Sequence, residues 1–159
     1  MKQGKKKKRT DFSVRELTTA DAYNYSKIAA GTDLHKYAKF FEASTLDEAR
    51  KRIVQSSNRY ESLYGLFTKA KRLVAVFYVS EDIDNTAIVH YFVGEQYYGN
   101  NYAIKGIRCL SDVLSGIYSC FHFEINKENV HSINVQNKLG SIECDPTGAY
   151  RNFIYSFWV

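Results

Sequence analysis

Cysteine is scarce in this chain and follows no pattern: Cys109, Cys120 and Cys144 make three, with no CxxC pair. An odd, dispersed set excludes a disulfide framework and a cysteine-built zinc site, and a reducing, cytoplasmic home is the simplest expectation. Cys109 and Cys120 fall in or beside a helical stretch and read as small packed residues, not nucleophiles. His35, His122 and His131 lack metal-ligand spacing and are expected on the surface or in structural roles, so no metal is expected. Long apolar runs are also missing. No stretch approaches the ~20 residues of a membrane span, and the lysine-rich start lacks the apolar core of a secretory signal.

A basic excess in the body is the third absence. Lysine and arginine number 22 against 17 acids, but Lys2, Lys5, Lys6, Lys7, Lys8 and Arg9 precede any periodic pattern, and without them the balance is 16 to 17. The sequence pI of 9.0 therefore describes an appendage, which argues against the fold itself being a nucleic-acid reader. Residues 1–10 are expected to be a disordered, solvated tail, with ribosome or RNA contact as its alternative use. The remaining 11–159, with 45% hydrophobic and 25% charged residues across the whole chain, suit one domain with one core. It shows no internal repeat.

What is present is a regular succession of elements. Phe12 to Leu17 alternates as a strand, and Thr18 caps a helix with Ala22, Tyr25, Ile28 and Ala29 on one face, stopped at Gly31. Tyr37, Phe40 and Phe41 form an aromatic segment expected to serve more as core than as pocket. Thr45-Leu46-Asp47-Glu48 is a capping box opening a helix to about Ser57, with Leu46, Ala49 and Ile53 inward. Strands over 62–68 and 73–80 should pair as a hairpin across Lys69 to Arg72, and a turn over 82–85 leads to a strand over 87–93. Ala103, Ile107, Leu110, Leu114 and Ile117 mark a long amphipathic helix, followed by a strand over 121–125, which makes a parallel βαβ unit. A helix over 130–139 ends at Gly140. Strands near 141–144 and 153–159 flank the turn Asp145-Pro146-Thr147-Gly148.

Val93 to Leu110 is the most informative stretch. A strand runs through a glycine-bearing loop into a helix, presenting unpaired amides and a favourable dipole to an anion. A pyrophosphate can be held there by main chain alone.

Element order β-α-α-β-β-β-α-β-α-β-β with that loop after the fourth strand resembles the GNAT superfamily of acetyl-CoA-dependent N-acetyltransferases, closest to its ribosomal-protein N-terminal acetyltransferase branch. The fold implied is α/β (α+β): a mixed, mostly antiparallel sheet of six to seven strands flanked by about four helices. The family's cofactor loop, Q/R-x-x-G-x-G/A, is matched by Gln96 and Gly99, with Asn101 in the last place, where asparagine tolerates left-handed dihedrals. Its second signature appears as Asn129-Val130-His131-Ser132 and then Lys138-Leu139-Gly140-Ser141. Ser141 replaces the usual phenylalanine, and Gln136 stands where many relatives carry an acid tyrosine.

The resemblance implies acetyl-CoA as co-substrate, lying along Phe92, Val93, Gly94, Gln96, Tyr97, Tyr98, Gly99, Asn100, Asn101, Tyr102 and Ala103, with Asn129 and Ser132 beyond them. A backbone amide at about Tyr91 to Val93, where the fourth strand splays from the fifth, supplies the oxyanion donor. Ser132 is the candidate donor to the departing thiolate. His90, Tyr91 and Glu124 are the candidate bases, and strand alternation puts His90 and Tyr91 on opposite faces. The implied reaction is direct attack of an amine, from a protein N-terminus, peptide or small metabolite, on acetyl-CoA in a ternary complex. A catalytically decayed CoA-binding module is the alternative, suggested by Asn101, Gln136 and Ser141 departing together. A plain nucleic-acid-binding domain is a third. Monomer and homodimer are both open, since the aromatic end, Tyr150 to Val159, could pair with a partner or complete its own sheet.

Overall fold

The computed structural model describes residues 11–31, 34 and 36–158; the basic tail and His35 lie outside them. The elements are β1 (Phe12–Glu16), α1 (Ala22–Ala30), α2 (Leu46–Gln55), β2 (Glu61–Thr68), β3 (Leu73–Glu81), β4 (Thr86–Val93), α3 (Tyr102–Leu114), β5 (Cys120–Asn126), α4 (Val130–Leu139), β6 (Ile142–Thr147) and β7 (Tyr150–Ser156). This is the order expected from the sequence. One seven-stranded sheet runs β1-β2-β3-β4-β5-β7-β6, antiparallel except for the β4–β5 pair.

Strand alternation divides the core in two. Ala75, Phe77, Val79, Ala87 and Val89 turn toward α3 and α4, joining Ile107, Leu110 and Ile133. Val76 and Phe92 turn the other way, joining Tyr25, Ile28, Ala49 and Ile53 of α1 and α2. The sheet is thus covered on both faces, as its apolar strands require. The capping box of α2 forms as its sequence dictates: Thr45 Oγ1 accepts from the Glu48 amide at 3.2 Å, and Glu48 Oε2 accepts from the Thr45 amide at 3.3 Å. Asp21 makes a second box, accepting from the Thr18 amide at 2.8 Å while Arg15 grips it at 2.8 and 2.9 Å. Gly106 lets α3 settle on the sheet, because a Cβ there would stand 2.2 Å from Phe77.

Four expectations need correction. Ile117 lies beyond α3 and is 64% exposed, because the helix ends at Leu114 and the chain turns there. Leu46, in the first turn of α2, is 37% exposed while Ala49 and Ile53 carry the buried face. Tyr37 and Phe40 are exposed; only Phe41 of that cluster is core. The final hairpin is shifted: β6 continues through Thr147, the turn is Gly148-Ala149 with Gly148 at φ 57°, and β7 spans 150–156. Asp145 and Pro146 occupy an irregularity in the pairing, where proline's missing N–H costs nothing. Asn152 braces it, donating to the Asp145 carbonyl at 2.9 Å and Thr147 Oγ1 at 3.0 Å.

Candidate active site

β4 and β5 pair through only three residues each, Thr86–Ile88 against Cys120–His122. Beyond Ile88 the strands diverge, three residues before the expected point. The Gly94 amide bonds back to the Val74 carbonyl on β3 at 3.0 Å. By antiparallel alternation, the amides of Val93, Tyr91 and Val89 then face the opened β5 side. They are the amides that the divergence turns toward the open side of the sheet.

From Gly94 the chain makes a short turn at Glu95–Tyr97 and enters α3 through two left-handed residues, Gly99 at φ 81° and Asn101 at φ 57°. Asparagine at the last position of the loop adopts this left-handed conformation more readily than most residues with a β-carbon. The Asn100 side chain braces the loop from within, donating to the carbonyls of Tyr97 at 3.0 Å and Tyr98 at 3.3 Å. Asn101 forms no side-chain cap, so the first amides of α3 remain available to a ligand. They open onto a cavity of about 510 Å³ lined by Val93, Tyr98, Gly99, Asn101, Ala103 and, from α4, His131 and Lys138.

A narrower space of about 280 Å³ shares Val93, Tyr98, Ala103 and His131 with that cavity and continues past Phe92, Tyr91, Asn129 and Ser132. It shares Tyr37, Ala38, Tyr91, Asn129 and Ser132 with a third cleft, of about 440 Å³, bordered also by His90, Phe123 and Glu124. The three form one path from the α3 amides, between the diverging strands, to the α1–α2 side of the sheet. Tyr37 closes the mouth by donating from its hydroxyl to the Glu128 carbonyl at 3.2 Å. A larger hollow of about 900 Å³, bordered by Lys39, Glu42, Lys51 and Arg52, lies between α1 and α2; α3 and α4 do not reach it.

Among the expected cofactor residues, Phe92, Val93, Tyr97, Tyr98, Gly99, Asn101, Tyr102, Ala103, Asn129 and Ser132 line this path. Three do not. Gly94 is buried in the turn, Gln96 lies with Oε1 against Gly31 and Gly94, and Asn100 serves the loop itself. Asn129 Oδ1 is occupied as the N-cap of α4, accepting from the Ser132 amide at 3.2 Å. Asn129 thereby fixes where Ser132 stands.

The candidate bases sit as alternation requires. His90 is among the cleft residues, stacked near Tyr78 with ring centroids 6.1 Å apart. Burial lowers its pKa, Glu124 opposes that, and His122 adds to it, so the imidazole is neutral at neutral pH. Tyr91 points to the α3–α4 side, where burial pushes its hydroxyl up to about 12. Sequence reasoning missed Tyr78, which donates a hydrogen bond to Glu61. The hairpin register, which sets Tyr78 opposite His90, was the available signal. Tyr37 and Tyr150 also border the cleft. Among the described residues no group of histidine, cysteine, aspartate or glutamate could hold a metal, and no helix is long and apolar enough to cross a membrane.

The strand order, the single parallel pair that opens and the loop that precedes α3 match the GNAT fold. Solved structures of similar architecture include the ribosomal-protein alpha-N-acetyltransferase RimL in complex with coenzyme A (TM-score 0.76, 15% identity, 91% of this chain and 92% of that one). Similar too are the aminoglycoside acetyltransferase AAC(6')-Ib with ribostamycin and coenzyme A (0.75, 12%, 92% and 94%) and the Vibrio cholerae spermidine N-acetyltransferase with CoA and spermine (0.70, 16%, 91% and 92%). No protein-family model matches the sequence, and no curated protein resembles it in sequence.

Proposed function

We propose that the protein is an acetyl-CoA-dependent N-acetyltransferase. The continuous path from the α3 amides to the His90 cleft carries this reading. The α3 N-terminus and Lys138 would hold the pyrophosphate, the edge of β4 would hold the pantetheine arm, and Tyr91, Asn129 and Ser132 would border the thioester. Solved neighbours that hold coenzyme A support the choice of ligand.

Acyl transfer needs a neutral amine, donors for the tetrahedral oxyanion and a stabilised thiolate. Glu124, on the exposed rim of the cleft, attracts an ammonium. Neutral His90 accepts its proton, directly or through water. An α-amino group, with a pKa of about 7.7–8.0, gives up that proton more readily than a lysine at about 10.4. This favours a protein or peptide N-terminus, or a metabolite of similar basicity. The β4 amides receive the oxyanion, and holding amine and thioester together supplies up to ~7–11 kcal/mol. Residues 2–9, rich in lysine, suit an RNA-bearing partner such as the ribosome; deleting them should reduce co-sedimentation at low salt, and unchanged sedimentation would remove that partner.

The test is release of free thiol from acetyl-CoA against a panel of peptides and amines. Turnover on α-amines above other amines is the expected result. Cofactor binding with no turnover on any amine would instead favour the decayed CoA-binding module, the reading that Gln136 in the tyrosine position would otherwise suggest.

A further inference from the structure

The hollow between α1 and α2, of about 900 Å³, takes no part in the cofactor path, and its border is basic: Lys39, Lys51 and Arg52 stand on it against two acids, Glu42 and Glu48. Glu48 is spent on the start of its own helix, accepting from the Ser44 amide at 2.7 Å, the Ser44 hydroxyl at 2.8 Å and the Thr45 amide at 3.3 Å. That leaves Glu42 to oppose three cations, none of which forms an ion pair among the described residues. Arg52 is the half-buried one. Its guanidinium lies over the Phe40 ring, 4.7 Å from the centroid, and its Nε is closed off from solvent with no hydrogen-bond partner. The outer nitrogens of that planar fork are what it offers to an anion, and a guanidinium takes a carboxylate or phosphate through two such donors.

This basic border is continuous with the cleft at His90. Lys39 and Phe40 line both spaces. Phe40 carries Arg52 and also packs against Tyr78, with ring centroids 4.7 Å apart, and Tyr78 in turn lies 6.1 Å from His90. The guanidinium is thus a few short steps from the candidate base, a span that about four residues of extended chain cover at ~3.3–3.6 Å each. The two ends carry opposite signs, with Glu124 beside His90 and the cations on the hollow.

We propose that Lys39, Lys51 and Arg52 form an anion-binding extension of the acceptor site, and that the acceptor is a peptide whose α-amine is followed, within about four residues, by an aspartate or glutamate. Its ammonium is drawn to Glu124 and its carboxylate to the basic border. The two charges together set the direction in which the chain lies and reject a peptide of the reverse pattern. The three basic residues touch none of the reacting atoms; they determine which acceptor is held. The inference rests on the acetyltransferase reading, since it needs an amine at His90.

The test compares peptides that differ only in glutamate or glutamine at their third position, with thiol release from acetyl-CoA by the full chain as the readout. The glutamate peptide should show a KM about tenfold lower at similar kcat, the size of one hydrogen bond to a charged atom. Arg52→Met should bring the two KM values close together. Lys51 is exposed, so Lys51→Glu keeps the question answerable should Arg52→Met fail to fold. That variant should shift the preference toward a peptide with lysine at the third position, which a merely structural role would not do. High salt should shrink the wild-type difference. Equal KM values for the glutamate and glutamine peptides would overturn the subsite and leave the acetyltransferase standing. So would inorganic phosphate that lifts turnover of the glutamine peptide to that of the glutamate peptide, because the hollow would then hold a separate effector. Acetylation of other amines but of neither peptide would overturn the subsite alone, and no turnover of any amine would overturn both.

Discussion

The β4–β5 pair is two structures in one. At its closed end Ala87 and Phe121 stand opposite each other, both wholly buried, with Phe157 packed on Phe121 at 4.5 Å between ring centroids. At its open end, a few residues further along the same strands, His90 and Glu124 border a cleft of about 440 Å³. The closed end is packed core, and the open end is the candidate site. The difference is made by pairing alone, since β4 carries apolar residues toward α3 along its whole length.

The comparison can be broken from either side. Phe121→Ala should be the most damaging substitution, costing about 3–5 kcal/mol of folding free energy. A chemical denaturation curve checks it; a loss below 1 kcal/mol would mean that the closed end is not the anchor. His90→Gln attacks the open end. It should leave the denaturation midpoint nearly unchanged and lower kcat/KM about a hundredfold, the ordinary contribution of a general base. Because burial depresses the His90 pKa, the neutral, base-competent form persists below the usual histidine range. The acid limb of kcat/KM should therefore fall below about pH 6.5, the unperturbed histidine value, and vanish in the variant. Stability follows the same sign. His90 costs nothing above its unfolded pKa and destabilises as pH falls below it, where the unfolded chain takes up the proton first.

Smaller effects sharpen the contrast. Asn101→Val places a β-branched residue at φ 57° and should cost about 1–2 kcal/mol, together with acetyl-CoA affinity, whereas Asn101→Gly should preserve both. Thr45→Ala, at the α2 cap and away from either end, should cost about 1 kcal/mol and leave acetyl-CoA affinity unchanged.

Much of this was legible in the chain. The bounds of α4 follow from Asn129 and Gly140, which cap it at φ −81° and in the left-handed region at φ 75°. The capping box fixed the start of α2, and the positive φ at Asn101 follows from its place in the loop. The last hairpin was misread because Asp-Pro-Thr-Gly carries the composition of a turn; the two-residue turn one step later is set instead by pairing of β6 with β7. The divergence of β4 from β5 has no local signal, since the core-facing residues Val89, Phe123 and Ile125 continue through it. The Gln136–Ser141 pair is harder still. Gln136 lies on α4 and Ser141 between α4 and β6, and only packing brings the two sequence departures into one hydrogen bond.

Calorimetric titration with acetyl-CoA, on the wild type and on Gly99→Trp, tests the central claim most directly. A Cβ at Gly99 meets nothing within 4 Å, so the indole has room at the cofactor path clear of the core, while the φ of 81° puts the strain of the substitution in the loop itself. One-to-one binding by the wild type, lost in a variant with an unchanged circular dichroism spectrum, is the predicted result. No binding by the wild type, or equal binding by both proteins, would contradict the assignment of this path to the cofactor.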